Sequence, residues 1–317
     1  MASFNFSDAA TIASTGAFLV GELERLDPQL YEPIADFTAL RDIKLRQDVT
    51  IADQVSSFIL SSFAAMGAPA QKKSWANALA SAIQRTSVGQ TKVTQNLTPW
   101  AQEVSFSVIE LAQAQQAGRP IDRQKFDAMK MKHDLDLDLQ VYLGDAELGQ
   151  SGLLNSSVVT AENIGALGAS PTAADYIAAF NDAINKAWVN SKYTRFPKNI
   201  LIPPALFSAI ASIQLPNTNS NLLNYIKANN VASSADGVSI NINPCKYLDQ
   251  AFGGNATPRI VCYTNDERLV RFPLVPLQHT APQFRGLDQA TYYYCAMGEV
   301  EVVYPDLMYY ADLADGT

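Results

Sequence analysis

The chain has 317 residues, a net charge of −8, 48% apolar residues and only 17% charged ones. That composition is globular rather than disordered, and the length suits one large domain or two ordinary ones. The acidic balance argues against sequence-independent nucleic-acid binding, which needs a field of Lys and Arg to displace counterions.

Read from the N-terminus, residues 11–26 predict a short amphipathic helix ending before Asp27 and Pro28, followed by an irregular stretch around Pro33. The apolar run Phe18-Leu19-Val20 is broken by Ser, Gly and Glu and lacks a basic lead, so it does not read as a secretory signal. No run approaches the ~18 consecutive apolar residues of a membrane span, and a cytosol-like compartment is expected. Residues 48–107 read as a long excursion out and back. Val49, Ile51 and Val55 open an extended segment that continues through residues 56–60. A break at Gly67-Ala68-Pro69 precedes Lys72, Lys73 and Trp75, an Ala-rich helical stretch at 76–84, and β-like alternation at 91–94 and 103–108.

Val108, Leu111, Ala112 and Gln115 give a short helix that stops at Gly118-Arg119-Pro120. A second, longer helix follows, with Ala128, Met131, Leu135, Leu139 and Tyr142 recurring at three- and four-residue steps on its inward face. The run 134–139 alternates Asp with Leu, but Asp is depleted in strands and the apolar stripe begins earlier, so helix is expected. Lys130 and Asp134 stand four apart and are expected to pair. Ser170 reads as the N-cap of the next helix with Pro171 at its first position, and Tyr176, Phe180, Ala183, Ile184 and Trp188 face inward. Residues 199–202 read as a buried strand, 203–210 and 222–226 as short helices, and 238–242, 259–263, 290–297 and 299–304 as strands. Helices and strands mixed in this way define an α+β protein.

Chemistry is sparse. Cys245, Cys262 and Cys295 are far apart and odd in number, which suggests buried thiols rather than a disulfide framework or zinc site. Asp134, Asp136 and Asp138 mimic the start of a calcium loop, but Leu139 and Asp145 stand where Gly and Glu are needed, and a solvated helix face is the better reading. The glycine-rich stretch 144–152 contains neither a phosphate-loop lysine nor a dinucleotide fingerprint and reads as a turn after the long helix. His133 is expected on a helix surface and His279 in a loop. No nucleophile–base–acid constellation, metal site or cofactor site emerges, and an enzyme is not expected.

The stretch from Trp100 to Asn155 is the specific part. A β-return through Glu103-Val104-Ser105-Phe106-Ser107 leads to Gly118-Arg119-Pro120-Ile121-Asp122, a long helix, Leu143-Gly144-Asp145 and Gly152-Leu153-Leu154-Asn155. This resembles the tailed-bacteriophage major capsid proteins of the HK97 fold, as does the strand-then-helix run Ile200-Leu201-Ile202-Pro203-Pro204-Ala205-Leu206.

The resemblance implies an N-terminal arm (1–45), an extended loop or E-loop (46–107), a peripheral domain with a spine helix (108–160), an axial domain (161–270) and a return to the peripheral domain (271–317). It implies pentamers and hexamers of this chain in an icosahedral shell, the virion capsid, assembled in the host cytoplasm. That shell encloses double-stranded DNA without sequence-specific binding. Portal, scaffold or decoration proteins would be further partners, and no membrane is involved. Because the sequence opens directly on the arm, a separate scaffold or none is expected. Lys72, Lys73 and Trp75 would then reach over a neighbouring subunit, Trp75 as anchor and the lysines at the rim. Some relatives cross-link a loop lysine to an asparagine, but no catalytic carboxylate stands out here. An encapsulin-like bacterial nanocompartment shell is the alternative on the same fold, and a hydrolase with an unrecognised site the alternative of another class.

Overall fold

A computed structural model describes residues 36–65, 86–117, 121–168, 170–215, 220–254 and 257–315. The helices expected at 11–26 and 76–84, and the candidate contacts Lys72, Lys73 and Trp75, lie outside these residues. The chain divides into residues 1–36 and 37–317, and the second unit carries the fold.

That unit opens with a single helical turn α1 (Ala39–Asp42) and a short strand β1 (Lys44–Arg46). Two long strands, β2 (Val55–Ala65) and β3 (Thr86–Asn96), are followed by β4 (Thr98–Ser107), α2 (Val108–Ala117) and the 22-residue helix α3 (Ile121–Tyr142). A tight hairpin, β5 (Gly144–Asp145) with β6 (Gln150–Ser151), leads to β7 (Thr160–Leu167) and α4 (Ala173–Asn190). Next come β8 (Asn199–Ile202), α5 (Pro204–Ser212), α6 (Leu222–Ala228), α7 (Val231–Asp236), β9 (Asn241–Pro244) and β10 (Arg259–Tyr263). The remaining strands are β11 (Val270–Pro273), β12 (Gln278–His279), β13 (Gln283–Arg285), β14 (Asp288–Met297), β15 (Glu301–Val302) and β16 (Tyr309–Asp315).

A five-stranded sheet in the order β7-β16-β10-β8-β9 separates two cores. Because successive strand residues point to opposite faces, Ile200, Ile202, Ile260, Cys262, Tyr309 and Ala311 join one core, with Phe180 and Ile184 of α4. Leu201, Val261, Tyr263 and Tyr310 join the other, with Val141 and Tyr142 of α3 and Phe272 of β11. Runs apolar on both faces are what the sequence shows at 199–202 and 259–263. Fully burying a side chain such as Phe180 contributes roughly 1.5–3 kcal/mol. A second sheet pairs β4 with β14 over ten positions, with β12 and β13 beside β14. A third, β1-β11-β15, ties the start of the unit to its end.

Several local expectations need correction. The buried ridge of α3 is Met129, His133, Leu137 and Val141 with Tyr142, rotated from the expected stripe so that Leu139 is exposed. On that ridge the Trp100 ring of β4 packs edge-on against His133. His133 is buried at 8% exposure rather than on the surface. The expected Lys130–Asp134 pair gives way to Lys132–Asp136, while Asp134 bonds His133. The N-cap of α4 is Thr172, not Ser170, because Thr172 and Asp175 bond each other's backbone N–H in a capping box. The strand expected at 299–304 shrinks to Glu301–Val302, since a 3-10 turn begins at Pro305. The strand expected at 238–242 begins only at Asn241.

Other readings hold. The run 134–139 is helical, Cys245, Cys262 and Cys295 are buried free thiols, and the glycine-rich stretch forms the β5–β6 turn. Gly144 sits at φ +71°, and a Cβ on Gly152 would lie 2.2 Å from the Tyr142 carbonyl oxygen. Only glycine lets the chain turn this tightly against the end of α3.

Candidate assembly surfaces

Strands β2 and β3 pair over eleven positions, from Val55 opposite Asn96 to Ala65 opposite Thr86. Among the described residues this ribbon pairs with no third strand. Its alternation places Val55, Ile59 and Phe63 on one face, and Phe63 stands directly opposite Val88. Ile59, Phe63 and Val88 are 62%, 77% and 57% exposed. An isolated two-stranded hairpin is marginal in water, and an apolar face left open marks a contact surface.

The root of the ribbon is fixed by one carboxylate. Glu301 is fully buried on β15, between Arg46 of β1 and Arg271 of β11. Arg271 Nε donates to Glu301 Oε2 at 2.6 Å and Arg46 Nη1 to Oε1 at 3.1 Å. The Ser56 hydroxyl on the ribbon donates to the same carboxylate, and Arg46 Nη1 also reaches the Ser57 carbonyl at 3.2 Å. Two guanidinium groups offset the cost of burying one carboxylate. On the solvent side Arg46 bonds Asp48, whose carboxyl that bond holds below the usual range.

Two further carboxylates, Asp138 and Asp42, stitch the start of the unit to α3. Asp138 Oδ1 accepts the amides of Thr38 and Ala39 at 3.0 and 2.8 Å, capping α1, and Lys246 lies 3.3 Å from Oδ2. Asp138 is thus no part of a solvated helix face. Asp42 is fully buried and takes hydrogen bonds from Arg41 and from the Tyr142 hydroxyl at 2.6 Å. The Tyr263 hydroxyl donates to the Asp42 carbonyl at 2.7 Å. Burial, with Asp42 beside them, pushes both phenols well above their ordinary value, so they remain donors.

Beside the ribbon root lies a groove of about 400 Å³, between β4, the C-terminal half of α3 and the β5–β6 hairpin. Its floor includes Pro99, Trp100 and Met297. Leu139 and Leu148 stand exposed on its sides, with Asp136 and Asp145 among them. Trp100 Nε1 donates to Asp136 Oδ2 at 3.0 Å, and Gln150 bonds the Asn96 carbonyl, which ties the groove to the ribbon.

Little here performs chemistry. Burial pushes the thiols of Cys245, Cys262 and Cys295 up to about 12, far from a nucleophilic state. Among the described residues no group of His, Cys, Asp and Glu is placed to hold a metal ion. Sequence reasoning missed Glu301 and Asp42 and placed Asp138 on a solvated face, and the signal it could have used was a charged residue embedded in an apolar strand or helix face.

The described residues thus define an α+β protein with a two-stranded ribbon whose apolar face is exposed. A family model described as Major capsid protein matches residues 72–313, and the chain belongs to that family. It is a structural shell protein of the capsid. Solved structures agree on the fold. The capsid of Myoviridae phage XM1 superposes with a TM-score of 0.77 at 16% identity, covering 94% of this chain and 99% of that one. The capsid of a native GTA particle gives 0.65 at 12% identity over 96% and 98% of the two chains. Mycobacterium phage Adephagia gives 0.57 at 12% over 99% of each. Comparison with curated protein sequences gave no match.

Proposed function

We propose that the chain is the major capsid protein of a tailed bacteriophage with the HK97 fold, forming pentamers and hexamers of an icosahedral head around double-stranded DNA. Residues 1–45 act as the N-terminal arm, 46–107 as the E-loop, and 108–160 as the peripheral domain with α3 as its spine. Residues 161–270 form the axial domain, and 271–317 return to the peripheral domain. The role is structural and requires no catalysis. The net charge of −8 keeps the inner wall from adhering to the genome. Lys72, Lys73 and Trp75 contact a neighbouring subunit. Assembly takes place in the host cytoplasm, with portal, scaffold or decoration proteins as further partners.

The observation that carries this reading is the β2–β3 ribbon with its open apolar face, in a chain of the major capsid family. Such a face is stable in water only when a neighbour covers it. The test is electron microscopy with sedimentation of the chain expressed alone. Closed shells or ring-shaped capsomers are expected. A monomer at every concentration, unchanged by salt or crowding agent, would overturn the proposal. A small shell that co-purifies with an enzyme instead of DNA would favour a nanocompartment.

A further inference from the structure

We propose that a cavity at the C-terminal end of α4 binds a small phosphate ester with an aromatic body, a function separate from assembly. The cavity measures about 460 Å³ and opens where the turn after α4 meets the loop between β10 and β11 and the 3-10 turn Pro305–Leu307. That size falls among small-molecule sites and far exceeds a bare anion.

Charge defines one end of the ligand. Lys192, Arg195 and Arg268 line the cavity against Asp266 and Asp306, a positive balance in a chain of net charge −8. Both carboxylates are already engaged. Lys192 Nζ donates to Asp306 Oδ2 at 3.1 Å, and Asp266 Oδ1 accepts the Arg268 amide at 3.0 Å. The guanidinium groups of Arg195 and Arg268 are exposed and make no hydrogen bond or ion pair among the described residues. Two such forks call for more oxygens than one carboxylate presents, and a phosphate supplies three.

The other end is apolar. Leu269 is buried beneath the cavity, and the Tyr304 ring on its wall is 50% exposed, leaving a face open for stacking. A single phosphate also suits the chain better than a nucleic acid does, since each further phosphate would meet an acidic surface.

Backbone strain marks the same wall. Lys192 and Tyr193 are consecutive non-glycine residues in the left-handed region, at φ +55° and +62°. Their amides close on the Val189 and Trp188 carbonyls at 2.8 and 2.9 Å, and the Ser191 hydroxyl donates to the Trp188 carbonyl at 2.7 Å. The negative end of α4 is thereby satisfied by its own turn, and Arg195 is left to face the cavity. Strain held where glycine would relieve it is characteristic of a binding site.

The test is calorimetric titration of the full-length chain with phenyl phosphate, inorganic phosphate and a short single-stranded oligonucleotide. Phenyl phosphate is expected to bind about tenfold more tightly than inorganic phosphate, and Tyr304→Ala to erase that advantage. Arg195→Gln with Arg268→Gln should weaken phenyl phosphate by about tenfold or more. Asp266→Asn should tighten it, and Lys130→Gln, an exposed cation on α3, should change nothing. Denaturant midpoints of the arginine variants are expected to match wild type, because both side chains are exposed. Absence of phenyl phosphate binding, binding that survives loss of both arginines, or tighter binding of the oligonucleotide would overturn the proposal. A lowered midpoint with unchanged binding would assign the arginines to the end of α4 and overturn it equally.

Discussion

Asp138 and Ala39 stand 99 positions apart in the chain and share a hydrogen bond of 2.8 Å, from the Ala39 amide to the Asp138 carboxylate. A side chain in the last third of the long helix thus caps a one-turn helix at the entrance to the fold. Asp138→Ala is expected to cost about 2 kcal/mol, the upper range for a lost cap, measured by urea unfolding. Asp127→Ala, which removes only the exposed partner of Arg123, should stay within about 0.5 kcal/mol.

Glu301 holds together elements that are distant in sequence, because Arg46, Ser56 and Arg271 all converge on it. Glu301→Ala leaves the Arg271 guanidinium without its anion and Arg46 with Asp48 alone, and should destabilise the subunit by about 3 kcal/mol. Faster amide exchange at the first ribbon pair, Val55 and Asn96, should accompany the loss. A variant that unfolds at the wild-type denaturant midpoint would show that the clasp contributes nothing.

Gly152 has no room for a side chain. A Cβ there would sit 2.2 Å from the Tyr142 oxygen and 2.6 Å from the Leu143 nitrogen, both backbone atoms that cannot swing aside. Gly152→Ala should cost about 3 kcal/mol, the overpacking scale, and reduce the soluble yield. Gly237→Ala, at a φ of +67° but in open space, should cost less, since only backbone strain opposes it.

Stability should fall at both ends of the pH scale. Asp48 is held below its ordinary 3.8 by the Arg46 hydrogen bond, and Asp53 and Asp175 by the backbone amides they cap. Their contribution is complete above 3.8 and disappears as pH falls through the lower folded values. In alkali the sign reverses. Tyr142, Tyr263 and Tyr310 are raised by burial above their ordinary 10, so the unfolded chain releases protons first and stability declines as pH rises past that value. Thermal unfolding across pH, with tyrosinate absorbance followed in parallel, should show a plateau between these limits. A tyrosinate signal growing before unfolding would contradict the buried assignment.

The strands at 199–202 and 259–263 were legible because residues on both faces are apolar, as expected of strands buried between two cores. The helix at 173–190 was legible from its inward spacing, although its cap fell two residues later than the sequence suggested. Several strands escaped, two of them in the five-stranded sheet. β7 lies at the sheet edge with a mixed sequence, and β16 carries Asp312 and so reads as polar until Arg259 is seen pairing with it across the strands. The Asp-Leu alternation was legible as helix but not as a set of three environments. Asp134 meets His133, Asp136 meets Lys132 and Trp100, and Asp138 meets an N-terminal turn. Those partners lie between one and about a hundred residues away, and only tertiary packing brings the distant ones into reach.

The ribbon carries the central claim, because its face joins Ile59, Phe63 and Val88 in the open. Ile59→Ser with Phe63→Ser should leave subunit unfolding unchanged while abolishing particle formation. The most direct measurement is amide hydrogen exchange across residues 55–65 and 86–96, compared between dissociated subunits and purified particles. Strong additional protection on assembly, concentrated on these two strands, is the expected result. Equal exchange in both states would mean that no neighbour covers the ribbon, and the account of assembly would fail.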